Sequence, residues 1–230
     1  MNWTTLSPDT QWLVINSFDP HQLVFIDTLS ATRVFTIDQV DGSYAWSHDS
    51  RWLALNQGAN PLVLVDIPSQ QSFPIEYLTS IQLMSWSPLS QKLAFVYETS
   101  ISLFDPQTQT ITPIWETGFQ TTIKHLAWTE DGLQLIIILQ QENQIELRLI
   151  SINDGSSQLI WQKNDVKRFW PLATSPDNQW AAYLIGEQES AFWENDTAGV
   201  YVISQDGAYV YQVLDTSGKS DPYAFFWISP

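Results

Sequence analysis

Ser47-His48-Asp49-Ser50-Arg51-Trp52-Leu53-Ala54-Leu55 reads as a reversal of the chain followed at once by an apolar strand. The short oxygen-bearing side chains of Ser47 and Asp49 bond nearby backbone N–H groups, which closes a turn. The same phrase appears earlier as Ser7-Pro8-Asp9 ahead of Trp12-Leu13-Val14-Ile15, and later as Ser87-Pro88-Leu89 ahead of Leu93-Ala94-Phe95-Val96. It returns as Thr129-Glu130-Asp131 before Leu135-Ile136-Ile137-Ile138, and as Ser175-Pro176-Asp177 before Trp180-Ala181-Ala182-Tyr183. The starts at positions 7, 47, 87, 129 and 175 stand 40, 40, 42 and 46 residues apart. Self-similarity at that period marks a stacked-repeat architecture. A sixth start, Ser229-Pro230, ends the sequence.

Each copy continues in the same order. A second strand covers Leu23 to Ile26, Leu62 to Val65, Ile101 to Phe104, Ile145 to Ile152 and Val200 to Ile203. A third covers Arg33 to Ile37, Gln71 to Ile75, Thr110 to Ile114, Gln158 to Trp161 and Tyr209 to Leu214. With the short strand ahead of each serine turn, every copy holds four. The runs are short, rich in Val, Ile, Leu, Tyr and Trp, and bounded by Asp, Asn, Ser, Pro and Gly, which is strand patterning. Residues 133–152 are long enough for a helix, but Ile136-Ile137-Ile138 and the polar break from Gln140 to Gln144 predict a hairpin. Leu62-Val63-Leu64-Val65 is apolar throughout, as in a strand covered on both faces. Four-stranded sheets stacked face to face supply that cover. The expectation is an all-β fold, a β-propeller of four-stranded antiparallel blades with five repeats plus the start of a sixth. Its repeats fall at about 1–40, 41–80, 81–122, 123–168 and 169–223, with 224–230 the stub of a further inner strand, all within one domain, 1–230.

Trp86-Ser87-Pro88 followed by Lys92-Leu93-Ala94-Phe95, and Ser175-Pro176-Asp177 followed by Trp180-Ala181-Ala182-Tyr183, resemble the TolB-type WD40-like propeller repeat. That repeat reads Trp-Ser-Pro-Asp-Gly-Lys, then an apolar strand, then a second strand ending in Asp. The resemblance spans residues 3–230 and implies the fold; the family hosts scaffolds, gating domains and binding modules alike. Gly after the Asp survives only as Gly132, Leu89 replaces the Asp in the third copy, and Thr174 replaces the Trp in the fifth. Those departures bear on turn geometry.

The 230 residues include 9 Lys plus Arg and 25 Asp plus Glu, a net charge of −16. Such a chain repels phosphate backbones and anionic headgroups, so nucleic acid is not an expected partner. No apolar run approaches the roughly 18 residues that span a bilayer, so membrane insertion is not expected either. Cysteine is absent, which removes disulfides, thiol catalysis and Cys-ligated metals together. No Gly-x-Ser-x-Gly elbow or His-Glu-x-x-His pair occurs. His21, His48 and His125 lack companions at metal-ligand spacing. Gly218-Lys219-Ser220 ends like a phosphate loop, but Val213 stands where its first Gly belongs. Asp215 and Asp221 lack the alternating oxygen ligands of a calcium loop. No catalytic, cofactor or metal residue is assigned, and a carboxylate site assembled across repeats stays open.

Asp9, Asp49, Asp131 and Asp177 read as turn-formers, as do Asp27, Asp66 and Asp105 at second-strand ends. Trp46, Trp86 and Trp128 recur at one position and read as packing between blades. Trp12, Trp52 and Trp180 share a second position, which Lys92 and Gln134 fill elsewhere. They form either an exposed aromatic surface or caps over the strand below.

Function is sought where the copies differ. The first-to-second-strand loop is short in four copies but runs from Gly186 to Gly199 in the fifth, carrying Phe192 and Trp193 among Glu187, Glu189, Glu194 and Asp196. The connection into that copy holds Lys163, Lys167 and Arg168, three of the nine cations. Family geometry implies that both lie on one rim. Either they pair charges internally, or Lys163, Lys167, Arg168, Trp170, Phe192 and Trp193 form a recognition patch. The expected function is therefore a non-catalytic scaffold or binding module for another protein. Alternatives are the gating propeller of a larger peptidase-type enzyme and a glycan-binding propeller. No secretion signal is seen between Met1 and Asp9, and compartment stays open. Met1 to Leu6 and Ala224 to Ile228 each supply a first strand where a closed five-blade ring takes one. The chain is then a piece of a larger propeller, or its last strand docks elsewhere, with self-association of an open ring as one outcome.

Overall fold

The computed structural model describes residues 4–18, 21–38, 43–118, 120–174, 180–186, 198–204 and 209–215. Twenty strands and no helix occur among them, in five four-stranded antiparallel sheets, each built from strands consecutive in sequence. The first sheet holds β1 (Thr4–Leu6), β2 (Trp12–Phe18), β3 (His21–Asp27) and β4 (Thr32–Asp38). The second holds β5 (Ser43–Trp46), β6 (Trp52–Asn56), β7 (Leu62–Asp66) and β8 (Gln71–Ile75). The third holds β9 (Ile81–Trp86), β10 (Leu93–Tyr97), β11 (Ser100–Asp105) and β12 (Thr110–Glu116). The fourth holds β13 (Thr121–Trp128), β14 (Gln134–Gln141), β15 (Gln144–Ser151) and β16 (Ser157–Lys163). The fifth holds β17 (Arg168–Thr174), β18 (Trp180–Gly186), β19 (Ala198–Ser204) and β20 (Val210–Asp215). These are the blades of a β-propeller. The stretch expected as a hairpin is one, with β14 and β15 in register from Gln134 opposite Ser151 to Gln141 opposite Gln144. Residues 224–230, expected to start a sixth copy, lie outside the described residues.

The serine turn closes in the same way in three copies. Ser47 Oγ donates to Asp49 Oδ1 (2.6 Å) and accepts from the Trp52 amide (2.8 Å), while Asp49 Oδ1 also accepts from the Arg51 amide. Ser7 with Asp9 and Trp12, and Thr129 with Asp131 and Gln134, repeat the pattern. The residue after the Asp has positive φ: Thr10 62°, Ser50 58° and Gly132 64°. That explains why glycine suits the position, and why Thr10, with its branched Cβ, sits there at a cost. The third copy departs as its Leu89 implies. Ser87 Oγ accepts only the Ser90 and Leu89 amides, at 3.1 and 3.4 Å, and Ser90 is not left-handed.

The chain forms two compact units, residues 1–113 and 114–230. In the first, the facing sides of sheets one and two bury Val14, Leu23, Phe25, Leu53, Leu55 and Val65 completely. Phe25 stacks on Phe35 with ring centroids 4.1 Å apart. Sheets two and three enclose Leu62, Leu64, Leu93, Phe95 and Phe104 around Trp86, whose Nε1 donates to the Ala45 carbonyl at 2.9 Å. In the second unit, sheets four and five enclose Ile138, Ile145, Leu147, Tyr183 and Ile185. Each fully buried side chain of this size contributes about 1.5–3 kcal/mol. The reading of Trp86 and Trp128 as packing residues holds, at 7% and 3% exposure; Trp46 is half-buried against the first sheet.

Candidate functional site

The connection from β16 to β17 is tied down at both ends. Val166 is fully buried and its amide donates to the Asn143 carbonyl in the β14–β15 turn, at 2.6 Å. The next amide, Lys167, donates to the carbonyl of Gly186 at 2.8 Å. Gly186 ends β18 and opens the long loop of the fifth copy, and in the ladder it stands opposite Arg168. The structure therefore brings Lys163, Lys167 and Arg168 to the end of the fourth and fifth sheets from which that loop departs. Lys163 faces Ile145 across the sheet, and its Nζ sits 5.8 Å from the ring centroid of Tyr201. Such a cation–π contact contributes about 0.5–1 kcal/mol at a partly exposed site. Trp161 packs beside the same ring, centroids 6.0 Å apart. Trp170 stands opposite Leu184 with 41% of its surface exposed. Phe192 and Trp193 lie outside the described residues, as do Glu187, Glu189, Glu194 and Asp196. Tyr201, the ring beneath Lys163, was absent from the expected patch; its only sequence signal was its place in the alternation of β19.

Among the described residues, Asp9, Asp49 and Asp131 are engaged in their turns, and Asp177 lies outside the described residues. Partial burial pushes Asp9 and Asp49 up, yet the Ser7 and Ser47 hydroxyls and the amides of Gln11 and Arg51 hold both below the usual carboxylate range. The Thr129 hydroxyl and the Leu133 amide do the same for Asp131. The Ser30 amide lowers Asp27, and the Ser156 amide lowers Asp154. A carboxylate stabilised as an anion by its own turn is a poor proton donor at neutral pH. Among the described residues, no three His, Cys, Asp or Glu side chains are grouped to hold a metal ion.

Trp12, Trp52 and Trp180 are all half-buried, which places them between the two expected roles. Trp12 meets Phe35 edge-on at 6.2 Å, and Arg51 lies over the Trp52 ring at 5.3 Å. Trp180 lies against Tyr209 and Tyr211, at 6.4 and 6.2 Å. His125, at a bulge in β13, packs edge-on to Tyr183 at 5.4 Å. Burial pushes the His125 imidazole down to about 4 and the Tyr183 phenol up.

No family model matches the chain, and no curated protein matches it in sequence. Solved structures do resemble it. Hydrazine synthase of Kuenenia stuttgartiensis superposes with a TM-score of 0.69 at 16% identity, over 91% of this chain and 64% of that one. Oligogalacturonate lyase from Vibrio parahaemolyticus gives 0.68 at 12% identity, over 93% and 65%. TolB from Acinetobacter baumannii gives 0.62 at 14% identity, over 94% and 54%. The chain thus spans two-thirds or less of the length of each. The likeness establishes the propeller fold.

Proposed function

We propose that this chain is a TolB-type, non-catalytic propeller module that presents the rim at its fourth and fifth sheets to another protein. The observation that carries the reading is the bond from the Lys167 amide to Gly186, which seats a cationic connection at the root of the long irregular loop. In a chain of net charge −16, three cations within residues 163–168 are a marked exception, and Trp170, 41% exposed, follows on the face of β17 opposite to the Lys163–Tyr201 contact. Aromatic and cationic side chains together are what protein interfaces concentrate. The engagement of Asp9, Asp49 and Asp131 in their turns supports a scaffold over an acid–base enzyme.

Gating within a larger enzyme is the second reading. Hydrazine synthase and oligogalacturonate lyase are enzymes by name, and this chain spans only 64% and 65% of their lengths. Affinity capture in the native cell tests the choice, using the wild-type chain, a Lys163→Glu/Lys167→Glu/Arg168→Glu variant and a Phe192→Ala/Trp193→Ala variant. Leu133→Ser, in the β13–β14 turn at the other end of the fourth sheet, is the control. A partner retained by wild type and Leu133→Ser but lost by both patch variants agrees with the proposal. Equal capture by all four contradicts it.

A further inference from the structure

Gly199 sits inside β19, where a glycine weakens the strand and marks a close approach by a neighbouring group. Its backbone is not left-handed, so torsion does not call for glycine there. Side-chain space does. A Cβ at Gly199 would stand 2.7 Å from Gln212 Nε2 and 3.1 Å from Tyr201 Cε2. Tyr201, two residues on, shares the face of Gly199, and Gln212 stands opposite Tyr201 in the β19–β20 ladder. The Tyr201 hydroxyl donates to Gln212 Oε1 at 3.3 Å; that bond uses the acceptor of the amide and neither of its N–H donors. From the facing sheet come Trp161 and Lys163. They pair with Leu147 and Ile145, which pack in the core between sheets four and five, so both side chains point toward sheet five. There the Lys163 ammonium meets the face of the Tyr201 ring and Trp161 lies beside it. One ring thus holds two kinds of donor, an ammonium over its face and an amide at its hydroxyl.

We infer that this side of the rim recognises carboxylates, with Lys163 and Gln212 donating to Asp or Glu side chains on an acidic segment of the partner. Tyr201 and Gly199 are the positioning residues. The Tyr201 ring places the ammonium, its hydroxyl places the amide, and the missing Cβ of Gly199 leaves room for both. The inference rests on the rim reading above and gives its partner a chemistry. Electrostatics select the same chemistry. A chain of net charge −16 repels an acidic segment over most of its surface, so such a segment approaches at least cost where cations gather, and residues 163–168 hold three of the nine. Repulsion elsewhere fixes the register of binding more than it adds affinity. Lys163 is half-buried and Gln212 exposed, so the donors are fixed at the sheet yet reachable from outside.

The probe is fluorescein-labelled hexaglutamate with an amidated C-terminus, titrated against the full chain by fluorescence anisotropy. Lys163→Gln is expected to weaken binding about three- to fivefold, the size of one exposed ion-pair contact. Tyr201→Leu and Gly199→Ala are expected to weaken it comparably, because they displace the donors without removing them. The new Cβ of Gly199→Ala meets the far end of the flexible Gln212 side chain, so that variant is expected to keep a urea midpoint near wild type. Lys163→Arg is expected to retain most of the affinity. Lys92→Gln removes the same charge from an exposed position in the third copy and is expected to change nothing. Hexaglutamine with a free C-terminus separates side-chain carboxylates from a chain end and is expected to bind more weakly. Failure of hexaglutamate to bind wild type overturns the inference, as does equal weakening by Lys163→Gln and Lys92→Gln. Hexaglutamine binding as tightly, or a folded Tyr201→Leu variant binding unchanged, overturns it equally. A partner captured through the rim that hexaglutamate does not displace overturns this inference alone and leaves the rim reading standing.

Discussion

Replacing Ser47 with alanine tests the turn chemistry on which the repeat rests. Ser47 is 2% exposed, and its hydroxyl makes a 2.6 Å bond to the Asp49 carboxylate and a 2.8 Å bond from the Trp52 amide. A hydrogen bond to a charged group is worth about 1.5–3 kcal/mol, and a buried amide left unpaired costs about 1–3 kcal/mol. The two losses overlap, because Asp49 keeps its bond from the Arg51 amide and relaxes toward water. The expected cost is about 2–3 kcal/mol. Ser87 is the internal control. It is equally buried, and its backbone closes the turn in the same way, Ser87 to Lys92 at 2.9 Å against Ser47 to Trp52 at 2.8 Å. Its hydroxyl has no carboxylate partner and accepts only at 3.1 and 3.4 Å, so Ser87→Ala is expected to cost about 1 kcal/mol or less. Urea unfolding reads both as midpoint shifts at constant slope. Ser87→Ala proving as costly as Ser47→Ala would refute the assignment of the energy to the serine–aspartate pair, and so would a silent Asp49→Ala.

Other outcomes follow from the same geometry. The folded His125 holds its proton at about 4, against 6.5 unprotected, so below 6.5 the unfolded chain binds the proton first. Its contribution is thus complete above pH 6.5 and is lost as pH falls toward 4, with a ceiling of about 3 kcal/mol because the residue keeps some solvent contact. Urea midpoints between pH 7 and 4.5 should show that slope, and His125→Gln should flatten it. Gly155→Ala places a Cβ 2.4 Å from the Ile114 carbonyl oxygen at a φ of +69°, whereas Gly58→Ala meets nothing within 4 Å at +65°. Thermal melts should show Gly58→Ala costing about 1 kcal/mol and Gly155→Ala clearly more. Trp86→Phe deletes the bond to Ala45 between sheets two and three and leaves a cavity, an expected loss of about 1–3 kcal/mol by urea unfolding.

The fold was legible because its information is local and copied. Ser47, Asp49 and the strand after them specify a turn within nine residues, and four further copies repeat the instruction. Ile136-Ile137-Ile138 similarly decided for a hairpin where length alone allowed a helix. Less legible were features that depend on backbone torsion or distant pairing. Thr10 and Ser50 occupy left-handed positions that their residue types do not announce. Lys92 and Gln134 at the Trp52 position left open whether Trp12, Trp52 and Trp180 are exposed or capped, and all three are half-buried, with Phe35 and Arg51 partly covering Trp12 and Trp52. Within the candidate patch, the clustering of Lys163, Lys167 and Arg168 was visible in sequence. The Tyr201 ring under Lys163 was not, because it arrives from β19, 38 residues later.

Residue-resolved amide exchange tests the central claim, that one turn-and-strand cassette is copied along the chain. The amides of Trp12, Trp52 and Gln134 each bond a side-chain oxygen five residues earlier. The account predicts that all three exchange as slowly as neighbouring strand amides such as Leu53 and Leu135. Exchange of the three at the rate of an open loop, with the strands around them protected, would contradict it.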